Sequence, residues 1–100
     1  MIAFVRTANI NPGKQAGAMA FAKAVAAHLQ QHHGVQLEVL LPIGGNPQRV
    51  AWSTRYASLA AMEAFRDKLN ADTAYWALLQ EHAGDFQAAS MHDAIWKTVD

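Results

Sequence analysis

Apolar residues recur along the chain with two different periods. From Ile2 to Ile10 they crowd into a run of Ile, Phe and Val that Asn11-Pro12-Gly13 closes, which reads as a strand. A four-residue step follows. Phe21, Val25 and Leu29, extended by Ala18 and Ala22, draw one apolar stripe on a helix predicted over 14–33. Alanine, the best helix former, fills that segment. Asn11 is placed to cap this helix, Pro12 suits its first position, and Gly34 ends it as a left-handed cap.

The period then drops to two. Val35, Leu37, Val39, Leu41 and Ile43 alternate with Gln36, Glu38 and Leu40, predicting a strand over 35–43, and Pro42 marks it as an edge. Gly44-Gly45-Asn46-Pro47 reads as a turn. Residues 49–57 alternate again, with Val50, Trp52, Thr54 and Tyr56 on one face and Ala51, Ser53 and Arg55 on the other, so the two strands form a hairpin. Ser58 can cap the next helix, whose stripe is Leu59, Met62, Phe65 and Leu69. Asn70-Ala71-Asp72 interrupts it. Asp72 can cap a second piece running to about Ala83, with Tyr75, Leu78, Leu79 and His82 inward and Gly84 as terminator. In the last segment Met91, Ile95 and Val99 have helical spacing, but the β-rich composition of 94–99 favours a strand.

The order is therefore β-α-β-β-α-β, a ferredoxin-like α+β domain spanning 1–100, with a four-stranded antiparallel sheet and helices on one of its faces. The positions facing away from the helices hold Ala3, Val5, Thr7, Leu40, Ala51 and Ser53, which are too apolar or too small for a wet face. This predicts burial against a second copy in a two-fold homodimer.

Composition narrows the function classes. One hundred residues suit one core, and 52% apolar residues exclude general disorder. Eight basic residues balance eight acidic ones, so no electrostatic nucleic-acid binding is expected. The absence of cysteine excludes disulfide scaffolds, Cys-based zinc sites and a thiol nucleophile. No apolar stretch is long or clean enough to span a membrane, and Met-Ile-Ala-Phe-Val-Arg lacks the basic start of a signal peptide, so a cytoplasmic location is expected.

The stretch Arg6-Thr7-Ala8-Asn9-Ile10-Asn11-Pro12-Gly13-Lys14 resembles the first strand and helix start of NIPSNAP-like proteins, where an Arg-x-Tyr-x-aliphatic-x-Pro-Gly pattern is usual. Val50-Ala51-Trp52, Tyr56-Ala57-Ser58-Leu59 and Asp72-Thr73-Ala74-Tyr75-Trp76 look like the same family's second half. Ala8 stands where Tyr is usual, and Thr73 where Pro is common. The resemblance extends to the wider dimeric α/β barrel superfamily, with its antibiotic-biosynthesis monooxygenases and small haem-degrading enzymes. It implies a homodimer with facing sheets and a cavity between sheet and helices in each subunit. It does not fix an activity. The haem-degrading branch carries an Asn on its first strand and a Trp and a His in its second helical region. Asn9, Trp76 and His82 supply the residue types, but Trp76 and His82 are six apart, and Phe65 stands where that branch carries its Trp. No cofactor is expected.

Trp52, Tyr56, Tyr75, Trp76 and Trp96 are candidate ligand-binding residues, because Trp and Tyr give a pocket apolar walls with a polar handle. Arg6 and Arg55 lie within strands. Either pairs with a carboxylate across the sheet or the dimer seam, or orients an anionic ligand. On a terminal strand His92, Ala94 and Trp96 share one face, and His92, with Arg55, is the candidate for catalysis. The plainer alternative makes these residues ordinary core and interface groups. His28 and His32 are four apart on the first helix, a spacing that can hold a metal. No carboxylate stands beside them, and the helix dipole accounts for histidines near a C-terminus, so no metal is expected. Residues 63–68 form a charged, solvated helix face.

Three functions fit: binding of a small, mostly apolar molecule; cofactor-independent oxygenation of a polycyclic or phenolic substrate, with His92 or Arg55 stabilising its anion; and a purely structural dimer. A filled interior would favour the third, a cavity holding His92 or an arginine the second, and an apolar cavity without ionisable groups the first.

Overall fold

The computed structural model describes residues 1–99. Its elements are β1 (Ile2–Asn9), α1 (Gln15–His33), β2 (Glu38–Leu40), β3 (Arg49–Tyr56), α2 (Leu59–Asn70), α3 (Thr73–Glu81), a 3-10 turn (Ala83–Asp85) and β4 (His92–Lys97). The strands form one antiparallel sheet in the order β2-β3-β1-β4, and the helices cover one of its faces.

β3 shows how alternation becomes a layer. Val50, Trp52, Thr54 and Tyr56 are buried, while Arg49 and Arg55 are exposed. Antiparallel partners share a face, so the register transfers that assignment across the sheet. Ile2, Phe4, Arg6 and Ala8 of β1 face the helices with Trp52 and Tyr56, and Ile95 and Asp93 of β4 join them opposite Phe4 and Arg6. Ala3, Val5 and Thr7 point the other way, beside Trp96, Ala94 and His92. On the helical side the stripe Ala18, Phe21, Ala22, Val25 and Leu29 closes on Ala8, Ile10, Val50 and Trp52 to form the main core. A smaller cluster of Ile2, Tyr56 and Met62 sits under α2.

Four local expectations are corrected. The predicted 35–43 strand is paired only over Glu38–Leu40, and Leu41 and Ile43 stand exposed. Pro42 offers no N–H to the ladder, and the glycine turn follows at once. Asn11 does not cap α1. Lys14 occupies the N-cap without a side-chain bond, because Pro12-Gly13 lies in a turn before the helix, with Gly13 at φ +79°. The Asn11 amide instead donates to the carbonyls of Gly84 and Phe86, each at 3.0 Å, tying the end of β1 to the chain after α3. That helix stops at Glu81, with His82 as its C-cap, and Gly84 lies inside the 3-10 turn. Ser58 and Asp72 do cap α2 and α3, accepting from the N–H groups of Ala61 and Tyr75 at 3.1 Å.

Candidate functional site

A cavity of about 410 Å³ lies between the inner face of the sheet and the helices. β1 sends Phe4, Arg6 and Ala8 into its wall, because even-numbered positions of that strand face inward. Trp52, Thr54 and Tyr56 of β3 arrive by the same alternation. Phe65 and Arg66 of α2, Tyr75, Trp76 and Leu79 of α3, and His82 with the stretch 86–91 add to it. Phe21 reaches across from α1 and packs on Trp52, Phe86 and His82, with ring centroids 6.0, 5.6 and 5.4 Å apart. The wall is mostly aromatic and aliphatic, with a few convergent polar groups, which is the usual make-up of a small-molecule site.

Its charges gather around Phe4. Arg6 and Arg66 lie over that ring at 5.6 and 5.5 Å. Arg6 is held by a two-pronged contact with Asp93, Nε to Oδ1 at 2.7 Å and an Nη to Oδ2 at 3.0 Å. This bond raises the arginine's pKa, and the same bond lowers that of the Asp93 carboxyl. Among the described residues Arg66 makes no ion pair. Burial pushes both tyrosine phenols above their ordinary value, although Arg6 and Arg66 pull the other way, so both are neutral hydroxyls at neutral pH. Trp52 is buried and its Nε1 has no hydrogen-bond acceptor among the described residues.

The structure separates the residues singled out from the sequence into two groups. Arg6, Trp52, Tyr56, Tyr75 and Trp76 line the cavity. Arg55, His92 and Trp96 do not. They stand on the opposite face of the sheet, Arg55 across from Ala3, His92 from Thr7 and Trp96 from Ala3. His92 therefore does not share the cavity with the inner aromatics. The haem-type trio does not converge either: Trp76 and His82 are in the wall, but Asn9 occupies an outward position of β1. Sequence reasoning missed Phe4, Phe86 and Arg66. Arg66 sits in the charged stretch read as a solvated face, and its signal is its spacing of four from Met62 and three from Leu69, which sets it beside the apolar stripe.

A sheet with one helical layer enclosing a largely aromatic cavity defines an α+β scaffold with room for a small molecule between sheet and helices. Comparison with solved structures is more specific. An uncharacterized NIPSNAP domain protein from Burkholderia xenovorans superposes with a TM-score of 0.83 at 16% identity, covering 99% of this chain and 95% of that one. A NIPSNAP family protein with unknown function from Agrobacterium tumefaciens gives 0.81 at 17%, covering 98% and 87%. A protein proposed to be an antibiotic biosynthesis monooxygenase, from Deinococcus radiodurans, gives 0.74 at 13%, covering 100% and 94%. The chain thus has the fold of NIPSNAP-like and antibiotic-biosynthesis-monooxygenase-like proteins. No protein-family profile and no curated protein sequence matches it.

Proposed function

We propose that the cavity binds a flat, mostly apolar aromatic molecule bearing one acidic or phenolic oxygen. The observation that carries this reading is the aromatic cavity of about 410 Å³ with two guanidinium groups over one wall residue, Phe4. The apolar wall supplies the driving force by area removed from water. Arg66, free of any carboxylate among the described residues, supplies charge-assisted recognition of the oxygen. Isothermal titration with 2-naphthoate, 2-naphthol and naphthalene-2-carboxamide tests it. The acid is expected to bind at one per chain and more tightly than the amide, and Arg66→Gln is expected to remove that preference. Absence of saturable binding by all three compounds would overturn it.

The arginines in the wall also favour a second reading, a cofactor-independent oxygenase in which they stabilise a phenolate substrate. His92 and Arg55 face away from the cavity, so Arg6 and Arg66 take the electrostatic part assigned to them. Oxygen uptake in the presence of a bound naphthol, absent in Arg66→Gln, separates this from binding alone.

The order β2-β3-β1-β4, with helices leading from β1 to β2 and from β3 to β4, supports a ferredoxin-like topology. The outer face supports a homodimer closing as an α/β barrel. Ala3, Val5, Ala51 and Ala94 form its centre, and Leu40 and Trp96 are 43% and 64% exposed. Uncovered apolar surface of this kind marks an interaction site.

A further inference from the structure

His28, His33 and Asp72 meet at one point although 39 to 44 residues separate the histidines from the aspartate. Nε2 of each imidazole lies 2.7 Å from the same carboxylate oxygen, Asp72 Oδ2. One ligating atom from each residue falls within 4.8 Å of the others. The three side chains are only 11–14% exposed, and none of them lines the aromatic cavity. His32, the neighbour that sequence spacing pairs with His28, is not one of the three. It stacks on the His28 ring at 4.5 Å.

We propose that His28, His33 and Asp72 form a three-ligand site for a divalent transition-metal ion, clipping the end of α1 to the start of α3. Two imidazole nitrogens and a carboxylate are the donor set of open zinc sites, in which three protein ligands leave one position for water. Without sulfur, the set suits zinc, nickel or cobalt rather than soft monovalent ions. Zinc bonds of about 2.0–2.2 Å place tetrahedral ligand atoms roughly 3.4 Å apart. The two N–O distances of 2.7 Å therefore open by several tenths of an ångström when the ion replaces the bridging protons. The surrounding contacts hold the ligands in place. Asp72 Oδ1 accepts from the Tyr75 N–H at 3.1 Å, and the His33 ring packs edge-on against Phe65 at 5.5 Å. Outer contacts of this sort are a regular feature of metal sites. Binding stabilises the fold by mass action.

The test is a titration of the untagged full chain with cobalt(II) and zinc(II), read by cobalt d–d absorption, calorimetry and melting temperature. One equivalent of cobalt is expected to give the intense bands of a four- or five-coordinate ion, zinc to displace it, and zinc to raise the melting temperature. Asp72→Asn keeps an N-cap, since Asn caps as well as Asp, and loses the anionic ligand. It and His33→Gln are each expected to weaken binding by more than the roughly 10–100-fold of an outer-shell change, with helical circular dichroism retained. His32→Gln is expected to bind as the parent does. A cobalt spectrum that stays that of the aquo ion, equal binding by a folded His33→Gln, or loss of binding in His32→Gln would each overturn the assignment.

Discussion

Arg6 carries a strand charge into a layer that is mostly apolar. Its guanidinium pairs with Asp93 on the neighbouring strand, the carboxylate partner that a charged residue inside β1 calls for. Asp93 titrates below its ordinary 3.8 in the fold because of Arg6. A carboxyl lowered in the folded state stabilises the fold above its unfolded value, and that contribution fades as pH falls through 3.8 toward the folded value. Asp93→Asn is therefore expected to melt below the parent at neutral pH, by a modest amount because the pair is partly exposed, and the gap is expected to close in acid. Melting curves across the pH range check this. The two tyrosines give a second reading at the same scale. Tyr56 and Tyr75 are the chain's whole complement, and burial raises both. A spectrophotometric titration is expected to show both phenols ionising with midpoints above 10.0 and no fraction with an ordinary midpoint.

At the scale of elements, the α1 stripe that closes the core centres on Phe21, and the same helix makes one close approach at Gly17. A Cβ on Gly17 would lie 2.7 Å from an Asp85 carboxylate oxygen, and Asp85 is engaged by His82 Nδ1 at 2.9 Å. Replacing an interior helical glycine by alanine usually gains about 1 kcal/mol. Gly17→Ala is expected to forfeit that gain, with denaturant unfolding showing no stabilisation, because the methyl displaces Asp85. Phe21→Ala removes a ring packed on three others and is expected to cost about 3 kcal/mol in the same measurement. The elements themselves were legible where one periodicity had one meaning: β3 alternates polar and apolar, and the stripe Phe21–Val25–Leu29 allows only a helix. The extent of β2 was not, since alternation over 35–43 says nothing of how far a partner reaches. The facing of β4 could not guide site assignment either, because Ala94 and Trp96 are as apolar as Ile95, and only the pairing with β1 decides which turn inward. That is why Trp52 and Tyr56 could be placed in a common wall from the sequence, whereas His92 and Trp96 were grouped with residues on the other side of the sheet. Arg66 and the His28–His33–Asp72 convergence depend on how α2 and α3 pack, for which no local pattern exists.

For the molecule as a whole, the two faces of one sheet have separate tasks: the inner face encloses a cavity and the outer face remains open in the single chain. Val5 stands at the centre of that outer face, flanked by Ser53 and Ala94. A charge there costs little in a monomer, where it meets water, and a great deal in a dimer seam, where it would be desolvated. Val5→Asp is accordingly expected to convert a dimer to a folded monomer in light scattering after size exclusion, while an unchanged monomeric mass for the parent chain would remove the barrel from the description. The three tryptophans are distributed over the same plan: Trp52 is buried in the cavity wall, Trp76 stands half-exposed at its rim with its Nε1 bonded to the Asn70 carbonyl at 3.1 Å, and Trp96 lies on the open face. Each therefore emits from a distinct polarity, so single-tryptophan variants would let filling of the interior and pairing of two chains be followed by fluorescence as separate events in one sample.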